Sequence, residues 1–512
     1  MNPLKLVAKG SILSLSGDTV VYLCSYLFLF IASHLLGQTL LGAYYWAISI
    51  TSLIGEFAES GTGQGLIYFT PRFESLKGEN QSLPLLGYAL RFTLRNALFL
   101  AVTLFFLAPY IATAYHKQEQ TWLLQLAAIG LPLSVFWPIL YKYCVGRFKI
   151  VEGILFGDIT RSLLRVIILL LLIVFGLKPL ALIGTEVLVG LVLFIIGFWL
   201  INKMWGIGFI RSNLSKSESK ELLIYSIPFL PLNLARGERI TLLIAAGFLL
   251  LPELGLFGVV LKLAALSQVV LTAFNFVFRP MVAKLYAEKD FSGLSLIYKS
   301  ITRWIFIFTL PISYILIFYP ATVLSLFGNN FKSGATALLI VAIGYLFEYG
   351  TSATQVIINM AGKSWLSLFN QIVYFLVIAA LSILLIPRLH ANGAAIAVAG
   401  GIVIINLLRL YQSYKILGFT PYSWYLVKPA IAVFIAGITC KFLFSWGPIL
   451  SIIDLMASKL YNYSIFTNLL VIIKLADFLM IYLAIYMLIV ILLKIDHQDK
   501  ELLLALKSKF IH

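Results

Sequence analysis

The sequence predicts an all-α polytopic membrane protein of about fourteen transmembrane helices. Three observations predict it. The chain of 512 residues is 61% hydrophobic and only 12% charged, whereas soluble domains carry about 25% charged residues. Its apolar runs reach the roughly twenty residues a helix needs to cross a hydrocarbon core of about 30 Å. The gaps between those runs alternate between many basic residues and few, as loops on opposite sides of a membrane do.

Each continuous apolar run must satisfy its backbone hydrogen bonds internally, which makes it a helix. The expected spans lie near 11–35, 42–66, 88–112, 120–141, 154–177, 179–202, 222–248, 254–278, 302–322, 334–358, 364–387, 392–413, 425–446 and 467–494. The first follows MNPLKLVAKG, is too long for a signal-peptide core and lacks a small-residue cleavage pattern, so it reads as a retained span. Gaps on one side hold Lys5, Lys9, Arg72, Lys77, Lys142, Arg147, Lys149, Lys203, Arg211, Lys216, Lys220, Arg279, Lys284, Lys289, Lys299, Lys363, Lys415 and the Lys500, Lys507, Lys509 tail. Gaps on the other hold Lys117, Lys178, Lys332, Arg388 and Lys459. Positive residues stay inside, so both termini are expected in the cytoplasm. The net charge of +17 then belongs to loop asymmetry rather than to nucleic-acid binding. Cys24, Cys144 and Cys440 lie in or beside apolar runs with no CxxC, and the five histidines are scattered. Free thiols, no metal site and no cofactor are the expectation.

The chain also repeats. "GAYYW" at Gly42 answers to "GLFGV" at Gly255, an offset of 213, and "TPR" at Pro71 to "RPM" at Pro280, an offset of 209. Gly184 answers to Gly393 at 209, and Gly146 to Gly362 at 216. Any one glycine or proline marks only a turn. Four in order at nearly constant offset mark two copies: 1–210 with spans one to six, and 211–418 with spans seven to twelve, followed by an unmatched pair of spans and a tail in 419–512. Both copies start on the same side, so they are parallel repeats, an architecture transporters use to rock two lobes about a central site.

Five stretches carry a family resemblance: "LLGQTLLGAYYWAISI", "ESGTGQGLIYFTPRF", "YSIPFLPLNLARGERI", "GNNFKSGATALLIVAIGYLF" and "MAGKSWLSLFNQIV" with "LLIPRLHANGAAIAVAGG". With them the chain resembles the Wzx-type oligosaccharide flippases, the polysaccharide biosynthesis proteins of the multidrug/oligosaccharidyl-lipid/polysaccharide (MOP) exporter superfamily. The resemblance covers roughly residues 10–415. It implies two six-helix lobes in a V shape like that of the MATE transporters, alternating access and no ATPase domain. It also implies a substrate built on a polyprenyl diphosphate with a short glycan, moved from the inner to the outer leaflet for surface polysaccharide such as O-antigen. Relatives often carry an Asp-Arg pair just before the glycine corresponding to Gly247. Here that place holds Leu242 and Leu243, and Glu238-Arg239 lies about a turn earlier.

Charges inside spans are costly, by about 2.5–3.5 kcal/mol on insertion scales, and so single out candidate sites. Asp18 in span one and Glu56 and Glu59 in span two lie at similar depth, and together would form a carboxylate cluster that couples transport to H+ or Na+. The bland alternative is a hydrated polar patch. Arg236 and Arg239, one turn apart on span seven, and Lys262 on span eight would clamp a diphosphate, since guanidinium forks match phosphate oxygens. The alternative is a structural Arg–Glu network involving Glu238 and Glu348. Asp158 and Arg161, and Lys474 and Asp477, read as local pairs; Lys441 would snorkel; and Glu186 is left open. Tyr44, Tyr45 and Trp46 are candidates for stacking on sugar, and "SIIDLMASKLYNY" and "DKELLLALKSKFIH" for surface-lying helices. The partners implied are a lipid-linked oligosaccharide, membrane lipid and a coupling ion, with no nucleic acid.

Two rival functions are weighed against a flippase. An enzyme would place carboxylates on a substantial outer loop or carry GxxxxGK[ST]; the loop from Gly37 to Leu41 is tiny, the long loop near 447–467 has only Asp454 as an acid, and the phosphate motif is absent. A drug/cation antiporter driven by H+ or Na+, from the same superfamily, would share the lobes but favour twelve spans and a cationic substrate. Fourteen spans and a basic second copy favour the lipid-linked anion.

Overall fold

The computed structural model describes residues 3–78, 81–147, 149, 154–206, 214–234, 237–351, 353–446 and 479–492. All regular structure among them is helical. The chain is a multi-pass membrane protein: among the described residues, nine helices are long and apolar enough to cross a bilayer.

Two of the nine hold two expected spans each. Helix α1 (Pro3–Glu59) has 57 residues, about 85 Å at 1.5 Å per residue, far more than one crossing needs. It breaks at Gly37, where φ is 78° and ψ −178°, a conformation an L side chain resists. The arms fold back, with the Phe28 and Tyr44 rings 6.3 Å apart. This is the turn expected between the first two spans, at the short loop from Gly37 to Leu41. Helix α16 (Ser364–Leu417) does the same at His390, with φ 50° and ψ −130°. A Cβ on Gly393 would stand 2.3 Å from the Leu385 carbonyl oxygen, and one on Gly401 would stand 2.4 Å from the Ile378 side chain.

The remaining elements follow the expected spans. Helices α2 (Thr62–Lys77), α3 (Leu83–Ala114), α4 (Thr121–Gly146), α5 (Thr160–Val174) and α6 (Ala181–Trp205) complete the first copy. A π-helical turn, Ile154–Ile159, leads into α5. Span seven is broken into α7 (Lys216–Ser226), α8 (Phe229–Leu234) and α9 (Gly237–Phe248). Then come α10 (Leu251–Ala264), α11 (Gln268–Ala287), α12 (Phe291–Phe318), α13 (Pro320–Ser325), α14 (Ala335–Thr351), α15 (Ala353–Met360), α16, α17 (Val427–Trp446) and α18 (Leu479–Leu492). The first part of span fourteen, Lys474 with Asp477, and both surface-lying stretches fall outside the described residues.

By internal packing the chain divides into two units, Met1–Leu261 with Gln371–Gly401, and Lys262–Asn370 with Ile402–His512. Packing and sequence repeat divide the chain differently, because the hairpin around Leu251 lies on α1. In the first unit, α2, α3, α4, α6 and α7 share a core of Leu66, Phe69, Leu86, Trp137, Tyr143 and Leu193. Gly42 of α1 and Gly255 of α10 meet at a close crossing. A Cβ on Gly42 would lie 1.8 Å from the Leu251 carbonyl oxygen, and one on Gly255 would lie 2.1 Å from that of Gln38. Gln38 and Leu251 stand at the same spacing of 213 as the two glycines. Each hairpin therefore presents to the other what the other presents to it, the reciprocity of a twofold contact.

In the second unit α12 packs against α11, α14 and α17. The Asn370 and Gln412 amides, both buried, donate to each other's carbonyls at 2.7 and 2.8 Å. Tyr314 of α12 stacks on Tyr482 of α18 with centroids 5.4 Å apart. The added helix α18 is thus joined to a helix of the repeat.

Candidate functional site

Helix α1 stops at Glu59 because Ser60 and Gly61 both take left-handed conformations, φ 47° and 73°. The second span is therefore discontinuous, and its acids stand at the break. Glu56 and Glu59 are one turn apart on a shared helical face. Each meets its own cation. Arg239 Nη1 of α9 donates to Glu56 Oε1 at 2.8 Å, with the side chains 33% and 15% exposed. Lys142 Nζ of α4 donates to Glu59 Oε1, and these side chains are 19% and 9% exposed. Both cations thus converge on the last turn of α1. Room for Lys142 exists because residue 63 is glycine: a Cβ there would lie 2.1 Å from the lysine Cδ. Each acid faces an opposite charge, and carboxylate repulsion is not the dominant local electrostatic effect.

The structure thus brings Glu56 and Arg239 together, joining one member of the expected acidic group to one of the expected basic group. Asp18 lies on α1, and its side chain is not among those described. Arg236 falls outside the described residues, as does the side chain of Glu238. Lys262, exposed on α10, and Glu348, half-buried on α14, belong to the second unit, whereas Glu56, Glu59 and Arg239 belong to the first.

Sequence reading missed Lys142 as a partner, counting it with the inner loops; the two residues are 83 apart in the chain. It also missed a second buried network. Glu186 of α6 accepts from Arg165 of α5 at 2.7 Å, lies 3.6 Å from Arg161, and accepts from the Tyr44 hydroxyl at 3.0 Å. Arg165 also donates to Tyr44 Oη at 3.0 Å and lies over the Phe28 ring at 4.3 Å. Arg161 therefore reaches Glu186, beyond the local Asp158 pairing expected for it. Tyr44, Tyr45 and Trp46 are buried at 8%, 6% and 0% exposure, so they pack within the helices and offer no sugar platform here. Burial of Arg165 and Glu186 is tolerable because they are paired and hydrogen-bonded to each other and to Tyr44. Among the described residues, no group of histidine, cysteine, aspartate or glutamate has the makings of a metal site.

Known proteins resemble this chain chiefly in fold. The family model described as "Polysaccharide biosynthesis protein" matches residues 7–236. No curated protein matches the sequence. The lipid II flippase MurJ in an inward closed conformation superposes with a TM-score of 0.68 at 14% identity, covering 94% of this chain and 98% of that one. A multidrug resistance MATE family transporter of the MOP superfamily, inward-facing, gives a TM-score of 0.65 at 15% identity, covering 80% and 98%. A MOP superfamily transporter from Pyrococcus furiosus, described as having a binding pocket of reverse polarity, gives 0.57 at 16%, covering 82% and 96%. Residues 7–236 thus match the polysaccharide biosynthesis protein family, and the chain has the fold shared by the MurJ flippase and a MATE transporter of the MOP superfamily.

Proposed function

We propose that the chain is a flippase that carries a polyprenyl-diphosphate-linked oligosaccharide from the inner to the outer leaflet of the bacterial cytoplasmic membrane by alternating access. The observation that carries this reading is the pair of intramembrane cations, Arg239 and Lys142, held by Glu56 and Glu59 on one helical face and left partly exposed. An organic diphosphate is a stronger ligand for such cations than a lone carboxylate, because it offers more charge and more acceptor oxygens. Binding would draw Arg239 away from Glu56, and Arg236, three residues earlier in the sequence, would add a second guanidinium. Glu56, released from Arg239, would then take up H+ or Na+ and couple the cycle to an ion gradient, with Glu59 and Asp18 as the further acids of the coupling group. The match to a polysaccharide biosynthesis family supports the substrate class, and the likeness to a lipid II flippase supports the reaction type.

The MATE likeness also suits a drug/cation antiporter. Each of the two acids at the α1 break already holds a cation, which leaves no spare negative charge there for a cationic drug and favours the anionic lipid. Deleting the gene tests both readings. Lipid-linked glycan should accumulate on the inner face and vanish from the outer one, with Arg239→Ala failing to restore it. Normal outer exposure of the glycan, with drug sensitivity instead, would transfer the assignment to the antiporter.

A further inference from the structure

Four hairpin tips meet at one end of the first unit. Lys117, in the turn between α3 and α4, is only 6% exposed. Its Nζ donates to its neighbour's carbonyl at Tyr115 (3.1 Å), and to the carbonyls of Ala246 (2.5 Å) and Leu249 (3.3 Å). Ala246 lies in the last turn of α9 and Leu249 just follows it, where carbonyls lack helical partners and carry the negative end of the helix dipole. Burial pushes the Lys117 ammonium below its usual range, so this cation is costly to keep dry and is held by those carbonyls. Immediately after Leu249, the chain enters the crossing of Gly255 with Gln38 and Gly42. Glu253, between the two, lies 3.5 Å from His390 Nδ1 at the α16 break.

We propose that this convergence is a gate on the side opposite the basic loops, that the structure shows it closed, and that Lys117 is its latch. Resting on the transport reading, this inference adds a residue outside the α1 site that sets which side of the membrane is open. Two physical features make the latch two-state. Glycine against carbonyl gives close backbone contact with no side chain to bend, so the hairpins are either seated or apart. A lysine withdrawn from its carbonyls regains water, which compensates its release. Opening would separate Lys117 from α9 and Gly42 from Gly255 in one movement.

The test is accessibility in cells. Ala43, 2% exposed beside Gly42, is changed to cysteine in a background carrying Cys24→Ala, Cys144→Ala and Cys440→Ala, and labelled from outside with an impermeant maleimide. Lys117→Met should raise the labelling rate on the order of tenfold, the worth of about one charge-assisted hydrogen bond. Lys117→Arg should stay near the parent. Ser217→Cys on the basic side, labelled after permeabilisation, should not change. A parental rate in Lys117→Met overturns the latch. If that variant does not accumulate, Gly255→Ala, which presses on the Gln38 carbonyl across the same crossing, must raise the rate instead, and a parental rate there overturns the proposal equally. Failure of the transport reading looks different: labelling still rises in Lys117→Met while outer glycan exposure is normal in the gene deletion.

Discussion

Glu59 is a buried acid of the first unit, and its side chain is 9% exposed beside Lys142. Removing one member of such a pair leaves the other charged in a poor solvent. Lys142→Met should therefore destabilise the protein by about 3 kcal/mol, read as a lowered thermal midpoint of the solubilised protein. Adding Glu59→Gln to it should recover most of the loss, since the orphaned charge is gone. An additive or worse double variant would mean that the pair is not coupled as the geometry has it. That Glu56 and Glu59 sit inside a span was legible, because an acid in an apolar run stands out in one dimension. Their cations were not. Lys142 lies near the end of an apolar run and reads as a loop residue, and only the close approach allowed by Gly63 brings it to Glu59. The Glu186 network was invisible for the same reason: Tyr44, Arg165 and Glu186 lie on three different helices.

At the scale of the element, α12 shows how lipid enforces hydrogen bonding. Pro311 lies inside this helix and has no N–H, so the carbonyl four residues earlier, at Ile307, loses its helical donor. Water is absent from the bilayer core, and another donor must come. It comes from α18: the Tyr486 hydroxyl donates to the Ile307 oxygen at 2.8 Å. The appended helix thus completes a bond that the repeat's own helix cannot make. Tyr486→Phe should cost about 1–2 kcal/mol by leaving that carbonyl unsatisfied. Pro311→Ala restores the backbone donor, so the Tyr486→Phe change should cost little in that background. Equal costs in both backgrounds, measured by a double-mutant cycle on thermal midpoints, would show that Tyr486 acts through packing on Tyr314 and its neighbours alone. The helices and their order were legible from apolar length. The break at Ser60-Gly61 was not, because the local sequence "ESGTGQGL" continues apolar on both sides and glycine in a membrane helix is ordinary.

For the whole molecule, the landmark glycines of the repeat proved more telling than their number suggested. Gly42 and Gly255 were paired by sequence offset alone, and the fold places each against the other's hairpin. A repeat is legible in sequence wherever its turns need residues without side chains. The division into packed units was not legible, since it depends on which hairpins rest on which helices. Orientation rests on charge. The tips at Gly37, Lys117, Leu250 and His390 occupy the poorly basic gaps, while α7 opens the second copy in a gap that holds Lys216 and Lys220. If basic loops remain in the cytoplasm, Gln118 and Ser217, both exposed, lie on opposite faces of the membrane. In the cysteine-free background, Gln118→Cys should react with an impermeant maleimide on intact cells, and Ser217→Cys only after the membrane is opened. The reverse pattern would invert every span and place the closed gate in the cytoplasm, and with it the direction in which a headgroup bound at Arg239 could leave. Labelling of both from outside would require an even number of crossings between Gln118 and Ser217, whereas α4, α5 and α6 make three.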